Sequence, residues 1–333
     1  MGKLGVKDLE KLLKCIKADA RVIVPPMAGY DSGVHLIGDK WLVVSTDPCI
    51  DVPEEWFGWL LIHYAASDVA LFGAKPEFCT INLLGPPATK PLTFQKIMRQ
   101  ACKAAEELGI AIVTGHTGTY EGLSTLVGVC TAYGLTEKDR LITPGGAKPG
   151  DYVICTKPLG LEIAVNLSLM NRGLAEKLFG AKRASELSRL VYMQSCVKEA
   201  LALAEIKGVH AMHDLTEGGL VASLNEMADA SKLGFKIEHE KIPICEEAEK
   251  LKETFRLSDE QLLSMSSTGT VLVAASPEAI ENIEKVLRKN RLEASVLGVF
   301  TSDTKRILVK NGGEKMFPKK AKDPYEIILS GAL

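Results

Sequence analysis

The stretch that decides the fold is WLVVSTDPCIDVPEEWFGWLLIHYAASDVALFGAKP, residues 41–76. It begins as a short apolar strand over 41–45 and continues, after a turn at 51–53, into a helix over 54–72. Apolar residues lie on all sides of this helix, which predicts that it is buried on most faces. Asp68 lies within that apolar surface, where a carboxylate is costly unless a cation or several hydrogen-bond donors meet it.

Two further aspartates lie close to this stretch. Asp47 follows the end of the strand, and Asp31 lies in the glycine-flanked sequence GYDSG. Proteins bind Mg²⁺ through a few carboxylates together with phosphate oxygens and water. We therefore predict that Asp31, Asp47 and Asp68 hold a hard cation. The alternative is that Asp31 or Asp47 only stabilises a turn.

The composition restricts the class of protein. A length of 333 residues allows two domains, and 46% hydrophobic with 25% charged residues is typical of a globular chain. A net charge of −2 gives no general attraction to nucleic acid. No apolar run is long enough to span a bilayer, and none of the eight cysteines forms a CxxC pair. We expect a cytoplasmic protein with buried thiols that binds neither nucleic acid nor membrane.

Alternating helix and strand patterns predict an α+β protein of two domains. The Gly- and Pro-rich sequence TPGGAKPGD at 143–151 is the predicted boundary, so the predicted domains are 1–145 and 151–333. In the first half a helix is predicted over 93–108, ended by Gly109. The second half is predicted to carry helices over 162–171, 184–204 and 218–230.

The sequence VTGHTGTYEG at 113–122 is predicted to be a strand that ends at Thr114 in a loop of glycines and hydroxyls. Glycine lets the backbone approach a ligand closely, and consecutive N–H groups can bind an anion. The alternative is a hairpin loop rich in turn-forming residues. His116 in this loop is a candidate ligand or acid–base group.

A second glycine-containing segment is HDLTEGGLVASLNE, residues 213–226. Two glycines in the first turn of a helix require a reason, because glycine is a poor helix former. Close approach of a phosphate to the helix N-terminus is one reason, and tight packing is the other. Asn225 and Glu226 lie off the apolar face and can point either at a ligand or at solvent.

Several nucleotide-binding motifs are missing. The chain has no GxxxxGK[ST] sequence and no GxGxxG sequence, which excludes a P-loop and removes the fingerprint of a Rossmann site. If a nucleotide binds here, a metal ion and aspartates must replace the P-loop lysine.

Taken in order, GYDSG, STD, ASDVALFGAKP, TGHT and HDLTEGG followed by NE resemble the motifs of the PurM/ThiL/HypE superfamily, also called AIR synthase-related proteins. The resemblance covers residues 29–274 and is greatest to HypE. It implies an α+β, two-domain PurM-like fold whose C-terminal domain is an α/β sandwich. It also implies a homodimer in which the N-terminal domains form a β-barrel-like sheet, with ATP and Mg²⁺ in a cleft.

The resemblance assigns roles to individual residues. Asp31, Asp47 and Asp68 would hold Mg²⁺ on the triphosphate. The residues that match nucleotide-binding motifs are Gly115, Thr117, Asp214, Thr216, Gly218, Gly219, Asn225 and Glu226. The motifs indicate no general base, for which His116 and His213 are the candidates that the sequence offers.

Four departures from the family pattern affect the predicted chemistry. Tyr30 replaces one carboxylate of the GDD motif, and His116 stands where an Asp is usual. Leu215 and Glu217 replace the Pro and Arg of DPTRGG, and the loss of that Arg removes a bidentate phosphate ligand. The last cysteine is Cys245, so HypE's terminal cysteine has no counterpart in this sequence and we do not expect HypE's own reaction.

These features predict an Mg²⁺-dependent enzyme that uses ATP to phosphorylate or dehydrate a small carbonyl or amide substrate. One alternative is a non-catalytic nucleotide-binding scaffold that acts with a partner protein in metallocentre maturation. The other is a small-molecule kinase that resembles thiamine-monophosphate kinase.

Overall fold

The computed structural model describes residues 4–331 and divides into two compact units. One unit comprises residues 14–141. The other comprises residues 142 onward together with the N-terminal stretch that ends at Leu13 and contains helix α1 (Val6–Leu13). The predicted α+β class is confirmed, because both units combine helices with a sheet. That residues 1–145 and 151–333 fold as separate domains stays a prediction.

The unit of residues 14–141 contains one six-stranded sheet. Its elements are β1 (Val22–Val24), β2 (Ser32–Ile37), β3 (Lys40–Cys49), α2 (Phe57–Leu71), β4 (Phe78–Gly85), α3 (Pro91–Leu108), β5 (Ala111–Thr119) and β6 (Val127–Thr136). The strand order is β1-β2-β3-β6-β4-β5. Neighbouring strands are antiparallel except for the parallel pair β4–β5, which α3 connects.

Helix α2 is the centre of this unit. Every residue of α2 except Tyr64 is buried, which confirms the prediction from its all-round apolar pattern. The helix packs on β3, β6 and α3. Gly109 ends α3 in the left-handed conformation, at φ 70°, as the sequence predicts. The opposite face of the sheet remains partly exposed, because buried and half-exposed residues alternate along β4 and β6.

The second unit contains a seven-stranded sheet in the order β13-β12-β9-β11-β7-β10-β8. Its strands are β7 (Tyr152–Cys155), β8 (Val209–Leu215), β9 (Gly234–Glu238), β10 (Ser267–Ala275), β11 (Ser295–Thr301), β12 (Arg306–Lys310) and β13 (Gly313–Met316). Its remaining helices are α4 (Leu161–Met170), α5 (Arg172–Phe179), α6 (Ala181–Leu187), α7 (Val197–Ala204), α8 (Gly219–Ser231), α9 (Glu246–Thr254), α10 (Asp259–Leu263), α11 (Ile280–Lys289) and α12 (Tyr325–Ser330).

The continuous helix that we predicted over 184–204 is wrong. The chain forms α6, a short 3₁₀ turn and then α7. The interruption has a physical cause. The buried Lys157 ammonium can only donate hydrogen bonds, and it donates to the backbone carbonyls of Met193 and Ser195, at 3.0 and 2.8 Å. An uninterrupted helix would use these carbonyls internally.

Within residues 4–331, none of the helices combines the length and the apolar character that crossing a bilayer requires.

Candidate functional site

Two of the three predicted aspartates, Asp31 and Asp68, contact Ser45 on β3. The Ser45 hydroxyl lies 2.7 Å from the Asp68 carboxylate on α2 and 2.9 Å from the backbone carbonyl of Asp31, which directly precedes β2. Asp68 and Ser45 are only 3% and 2% exposed. A hydroxyl has a single proton to donate, and the charged carboxylate is the nearer and stronger acceptor. Helix α2 and strand β3 therefore hold a buried carboxylate through a neutral donor.

Asp47 lies on the same face of β3. Side chains alternate along a strand, so Asp47 follows Ser45 on the α2 side, about 7 Å further on. The thiols around it respond to its charge: burial raises the pKa of Cys49, and the Asp47 carboxylate raises it further. In the pairing of β3 with β6, Asp47 lies opposite Cys130. Asp47 thus points into the unit, where a simple turn-stabilising aspartate would point to solvent.

This arrangement fits a hard cation. The Asp31 carbonyl, the Ser45 hydroxyl and the Asp68 carboxylate offer oxygen atoms only, and Asp47 adds a carboxylate on the same face. Oxygen ligands with carboxylates are the donor set that Mg²⁺ prefers. The sequence predicted the three aspartates and missed Ser45, although Ser45 stands inside the STD motif. That these residues bind a metal stays a prediction.

The predicted loop at 113–122 is wrong in its first part, because β5 continues as a strand to Thr119, with one register irregularity between Ile112 and Thr114. Gly115 pairs with Ile81 and Thr117 with Leu83 on β4. A Cβ on Gly115 would lie 2.1 Å from the Ile81 carbonyl, so this glycine is required by the approach of β4. A role of Gly115 and Thr117 in nucleotide binding stays a prediction.

An open cavity of about 610 Å³ lies at the end of β5. It is lined by Asn82, Leu84, His116, Tyr120, Gly122 and Leu123. His116 Nε2 and the Tyr120 hydroxyl are 2.6 Å apart, which fixes the orientation of the imidazole. His116 therefore faces a concave surface large enough for part of a small ligand.

The two glycines of HDLTEGG have local structural reasons. Gly218 and Gly219 adopt φ values of 83° and 51°, which favour glycine. A Cβ on Gly219 would lie 2.4 Å from the Met265 carbonyl. The Gly219 amide donates to the Thr216 carbonyl at 2.9 Å. The Gly218 amide donates to the Asp323 carboxylate at 3.2 Å. Both amides that we predicted for phosphate are thus engaged within the unit.

His213 is buried between acceptors. Its Nδ1 lies 2.8 Å from the Asp214 carbonyl, and its Nε2 lies 3.1 Å from the Glu226 carboxylate. Which ring nitrogen of His213 donates depends on the tautomer of the imidazole. A role of His213 as a general base stays a prediction.

Asp214 carries an unsatisfied buried oxygen. The residue is 2% exposed, and its Oδ1 atom makes no hydrogen bond to the described residues, although the His213 ring nitrogen lies 3.5 Å away. A buried carboxylate oxygen without a donor is costly. This atom is therefore suited to accept a cation or a ligand donor, and a role of Asp214 in nucleotide binding stays a prediction.

Asn225 is engaged within its own unit. Its amide donates to the carbonyls of Val221 and Pro318, at 2.7 and 2.9 Å, and its oxygen accepts from Arg306 at 2.6 Å. Asn225 therefore ties α8 to the C-terminal segment. Contact between Asn225 and a nucleotide stays a prediction.

Comparison with protein families gives a consistent result for both halves of the chain. Residues 29–136 match the N-terminal domain of AIR synthase related proteins, and residues 148–310 match the C-terminal domain. The chain belongs to the AIR synthase related family.

Relatives of this AIR synthase related chain have several names. It is 32% identical over 258 residues to the selenide, water dikinase of Myxococcus xanthus, covering 75% of this chain and 70% of that protein. It is 25% identical over 288 residues to the carbamoyl dehydratase HypE of Rhizobium leguminosarum bv. viciae, covering 83% and 78%. A protein of Methanocaldococcus jannaschii named for hydrogenase expression/formation is 26% identical over 286 residues, covering 84% and 82%.

Solved structures confirm the two-domain PurM-like fold of the family. A crystal structure of hydrogenase maturation protein HypE in complex with ATP superposes with a TM-score of 0.73 at 21% identity, covering 87% of this chain and 88% of that chain. Thiamine monophosphate kinase from Aquifex aeolicus superposes with a TM-score of 0.70 at 20% identity, covering 96% and 98%.

Two acidic residues of this AIR synthase related chain were missed by the sequence analysis. Burial raises the pKa of Glu162 to about 7 and the pKa of Asp323 to about 6. Ser266 lies between them, because its hydroxyl acts on Glu162 and its backbone amide on Asp323, in both cases lowering the pKa against burial. The backbone amide of Thr268 also donates to Glu162, at 2.8 Å. No short motif marks either residue, since their partners are far away in sequence.

Proposed function

We propose that this protein is an Mg²⁺-dependent ATP-binding enzyme that transfers a phosphoryl group to an oxygen of a small carbonyl or amide substrate. The observation that carries the proposal is the buried set of oxygen ligands in which Ser45 joins Asp68 to the Asp31 carbonyl, with Asp47 on the same face. Bound there, Mg²⁺ would neutralise charge on the phosphates.

The protein's own part in such a reaction is positioning. Phosphoryl transfer depends mainly on alignment and electrostatic stabilisation, which fixed groups provide. Helix α2 and strand β3 fix Asp68 and Ser45 because both are buried in regular structure.

Similar proteins support ATP as the nucleotide. A HypE structure contains ATP, and an Aquifex thiamine monophosphate kinase is complexed with AMPPCP and TMP. Selenide, water dikinase is also a relative, at 32% identity. We propose on this basis that the nucleotide bound by this chain is ATP.

We further propose a homodimer formed through the sheet of residues 14–141. The face of this sheet opposite α2 presents apolar side chains along β4 and β6, including Phe78 and Leu135 at 43% and 39% exposure. Exposed apolar side chains on one face of a sheet favour an interaction surface, and here Thr80, Asn82 and Thr131 lie among them. The eight free cysteines suit a reducing compartment, and we propose the cytoplasm.

A nucleotide-binding scaffold in metallocentre maturation is the second candidate. It is favoured by the engagement of the Gly218 and Gly219 amides within the unit, which leaves fewer groups for a phosphate. A complex of HypE with HypF is among the similar structures, and a maturation protein is the partner that this candidate requires. Binding of ATP without release of ADP or AMP in the presence of a metabolite pool would favour the scaffold.

Substitution of Asp68 tests the metal site. Asp68→Asn keeps the shape of the side chain and removes its charge, so the affinity for Mg-ATP measured by calorimetry should fall by more than about tenfold, since even partners of metal ligands cost that much. The matched control is Asp39→Asn in the exposed turn between β2 and β3, which should bind like the wild type. Unchanged affinity in Asp68→Asn would remove this residue from the site.

A further inference from the structure

The open cavity of about 610 Å³ lies toward the C-terminal ends of the parallel strands β4 and β5. In the pairing of these strands, Asn82 lies beside His116 and Leu84 lies beside Gly118. The four residues therefore form two neighbouring rows on one face of the sheet, the face with the half-exposed residues of β4. About 13 Å of strand separates Asn82 from Phe78, which begins β4. The cavity is thus distinct from the apolar residues at the start of the strand.

Gly118 leaves room between two of the residues that line the cavity. A Cβ at this position would lie 3.2 Å from the Tyr120 ring and 3.5 Å from His116 Nε2. Without that atom, the Tyr120 hydroxyl reaches His116 Nε2 at 2.6 Å. The Tyr120 amide also donates to the Gly85 carbonyl at the end of β4, at 2.9 Å. Tyr120 is therefore held at its backbone and at its hydroxyl, and its ring is a fixed wall of the cavity.

The lining combines apolar walls with a few polar groups. Leucine side chains and the Tyr120 ring supply the apolar surface, against which a flat ring packs well. An ionic ligand would lose its hydration there without gaining a counter-charge, because no lining residue is a lysine, arginine, aspartate or glutamate. The lining consists of Asn82, Leu84, His116, Tyr120, Gly122 and Leu123. This composition favours an uncharged ligand with an aromatic ring.

Asn82 determines which polar group such a ligand must carry. Its half-buried carboxamide has an acceptor oxygen and an NH₂ donor in one plane. A second carboxamide offers the same two groups in the same plane, so the two can pair through two parallel hydrogen bonds. A carboxylate lacks the donor, and a hydroxyl has its donor and acceptor on a single atom. The carboxamide of Asn82 therefore matches another carboxamide best.

We propose that this cavity is a binding site for a small, uncharged aromatic carboxamide, whose amide pairs with Asn82 and whose ring lies between Leu84 and Tyr120. The inference is independent of the proposed function, because Asp68 belongs to α2, which packs on the other face of the sheet. It assigns a ligand to Asn82, which no motif of the sequence singles out.

The first test uses benzamide as the probe and the full-length chain with labelled leucine methyl groups. Benzamide should shift the NMR signals of Leu84 and Leu123, while those of Leu272, buried in the second unit, should stay unchanged. A ligand of this size is expected to bind with a dissociation constant of about 1 mM. Benzoate has the same shape without the donor and should bind at least about fivefold more weakly, which corresponds to one lost hydrogen bond. Unshifted Leu84 and Leu123 signals at about ten times the expected dissociation constant of benzamide would overturn the site.

The decisive test exchanges the specificity of the cavity. Asn82→Asp keeps the shape of the side chain but offers only acceptors, so it should prefer benzamidine, whose cationic amidinium donates two hydrogen bonds to a carboxylate. The ratio of the affinities for benzamidine and benzamide should rise by at least about tenfold. The control is Asn290→Asp, at an exposed position after α11 in the second unit, which should keep the ratio of the wild type. An unchanged ratio in a folded Asn82→Asp variant would show that Asn82 does not pair with the ligand.

A second variant keeps the proposal testable if Asn82→Asp does not fold. Gly118→Ala places a methyl group against the Tyr120 ring and should displace it, so benzamide should bind at least about fivefold more weakly. Gly173→Ala is the control, because its Cβ would meet open space in the second unit, and it should bind like the wild type. Equal binding by Gly118→Ala and Gly173→Ala would overturn the site between Leu84 and Tyr120. None of these measurements contains Mg-ATP, so their failure leaves the proposed function untouched.

Discussion

In residues 14–141 the buried Asp68 carboxylate is met by the Ser45 hydroxyl, whereas in the second unit backbone amides, from Thr268 and Gly218, donate to the Glu162 and Asp323 carboxyls. Asp68 and its partner Ser45 belong to a helix and a strand that pack on one another. Asp323 belongs to a segment without regular structure. The first arrangement cannot rearrange without moving α2 or β3, whereas Asp323 can move with residues 319–324, which lie outside helices and strands.

This difference indicates what each region is suited to do. A rigid group of oxygen ligands keeps its shape between binding events, which favours a cation site of constant geometry. Carboxyls whose pKa is raised by burial, and which accept hydrogen bonds from backbone amides, are suited to respond to a ligand or to pH. The predictions below test the comparison through the buried charges on which it depends.

The largest effect is expected at Lys157, the buried cation of the second unit. Its ammonium bonds to Glu199 and to the Gly269 carbonyl at 2.7 Å, as well as to two carbonyls before α7. Lys157→Met should destabilise this unit by about 3–5 kcal/mol, because Glu199 then remains buried without a counter-charge. Hydrogen exchange of β10 measures the loss.

The control for Lys157 is an exposed ion pair of the same unit. Lys241→Met removes the partner of Glu238, and both side chains are about half exposed, so the change should be small. A double variant, Lys157→Met with Glu199→Gln, should recover part of the stability because no unpaired charge remains. If Lys157→Met were no more harmful than Lys241→Met, the buried charges of the second unit would not stabilise it in the way described here.

Lys157 also shows where sequence-based prediction of the fold fails. The burial of α2 and the end of α3 at Gly109 follow from local patterns, and both were predicted. The break between α6 and α7 depends on Lys157, which lies 36 residues before Met193 in the sequence. A periodicity that is read over one helix cannot contain such a partner. The continuation of β5 to Thr119 was missed for the same reason. The glycines of β5 are typical of a turn in the sequence, but pairing with β4 keeps them in a strand.

The residues of the candidate site also differ in whether local sequence or a distant partner identifies them. Asp31, Asp47 and Asp68 could be selected from the sequence because they stand in short motifs or in an apolar helix. Asp323 could not, because its partner Gly218 is 105 residues away. Ser45 was missed although it adjoins Asp47, because a serine in a strand is common and only the fold brings it to Asp68.

The next effect in size concerns Glu162 and pH. The folded-state pKa of about 7 lies above the ordinary value of 4.5, so the folded unit binds more protons than the unfolded chain in this interval. The stabilisation is therefore complete below pH 4.5 and is lost as the pH rises through 7. It amounts to at most about 3 kcal/mol. Glu162→Gln should remove this part of the pH dependence.

Hydrogen exchange of α4 measures the pH-dependent stability of the second unit. Tryptophan fluorescence would not report on this unit, because Trp41, Trp56 and Trp59 all lie in the other one. The difference between wild type and Glu162→Gln should grow in favour of the variant from pH 5 to pH 8. Glu281→Gln, at an exposed position of α11, controls for the loss of one carboxylate. Parallel pH profiles of the wild type and Glu162→Gln would show that the second unit has no carboxyl with a raised pKa at this position, and the contrast with the first unit would then fail.

The smallest effect is expected at Ser45, and it tests the arrangement around Asp68 in residues 14–141. Ser45→Ala leaves the buried Asp68 carboxylate without this hydroxyl, which should destabilise the unit of residues 14–141 by about 1–3 kcal/mol and weaken Mg-ATP binding. Ser32 is the matched control, because it is directly paired with Ser45, is similarly buried and has no partner for its hydroxyl among residues 4–331. Ser32→Ala should be neutral or stabilising in urea unfolding followed by tryptophan fluorescence. Equal effects of the two substitutions would mean that the Ser45 hydroxyl does not hold Asp68 in place, and the rigid geometry of the cation site would need another origin.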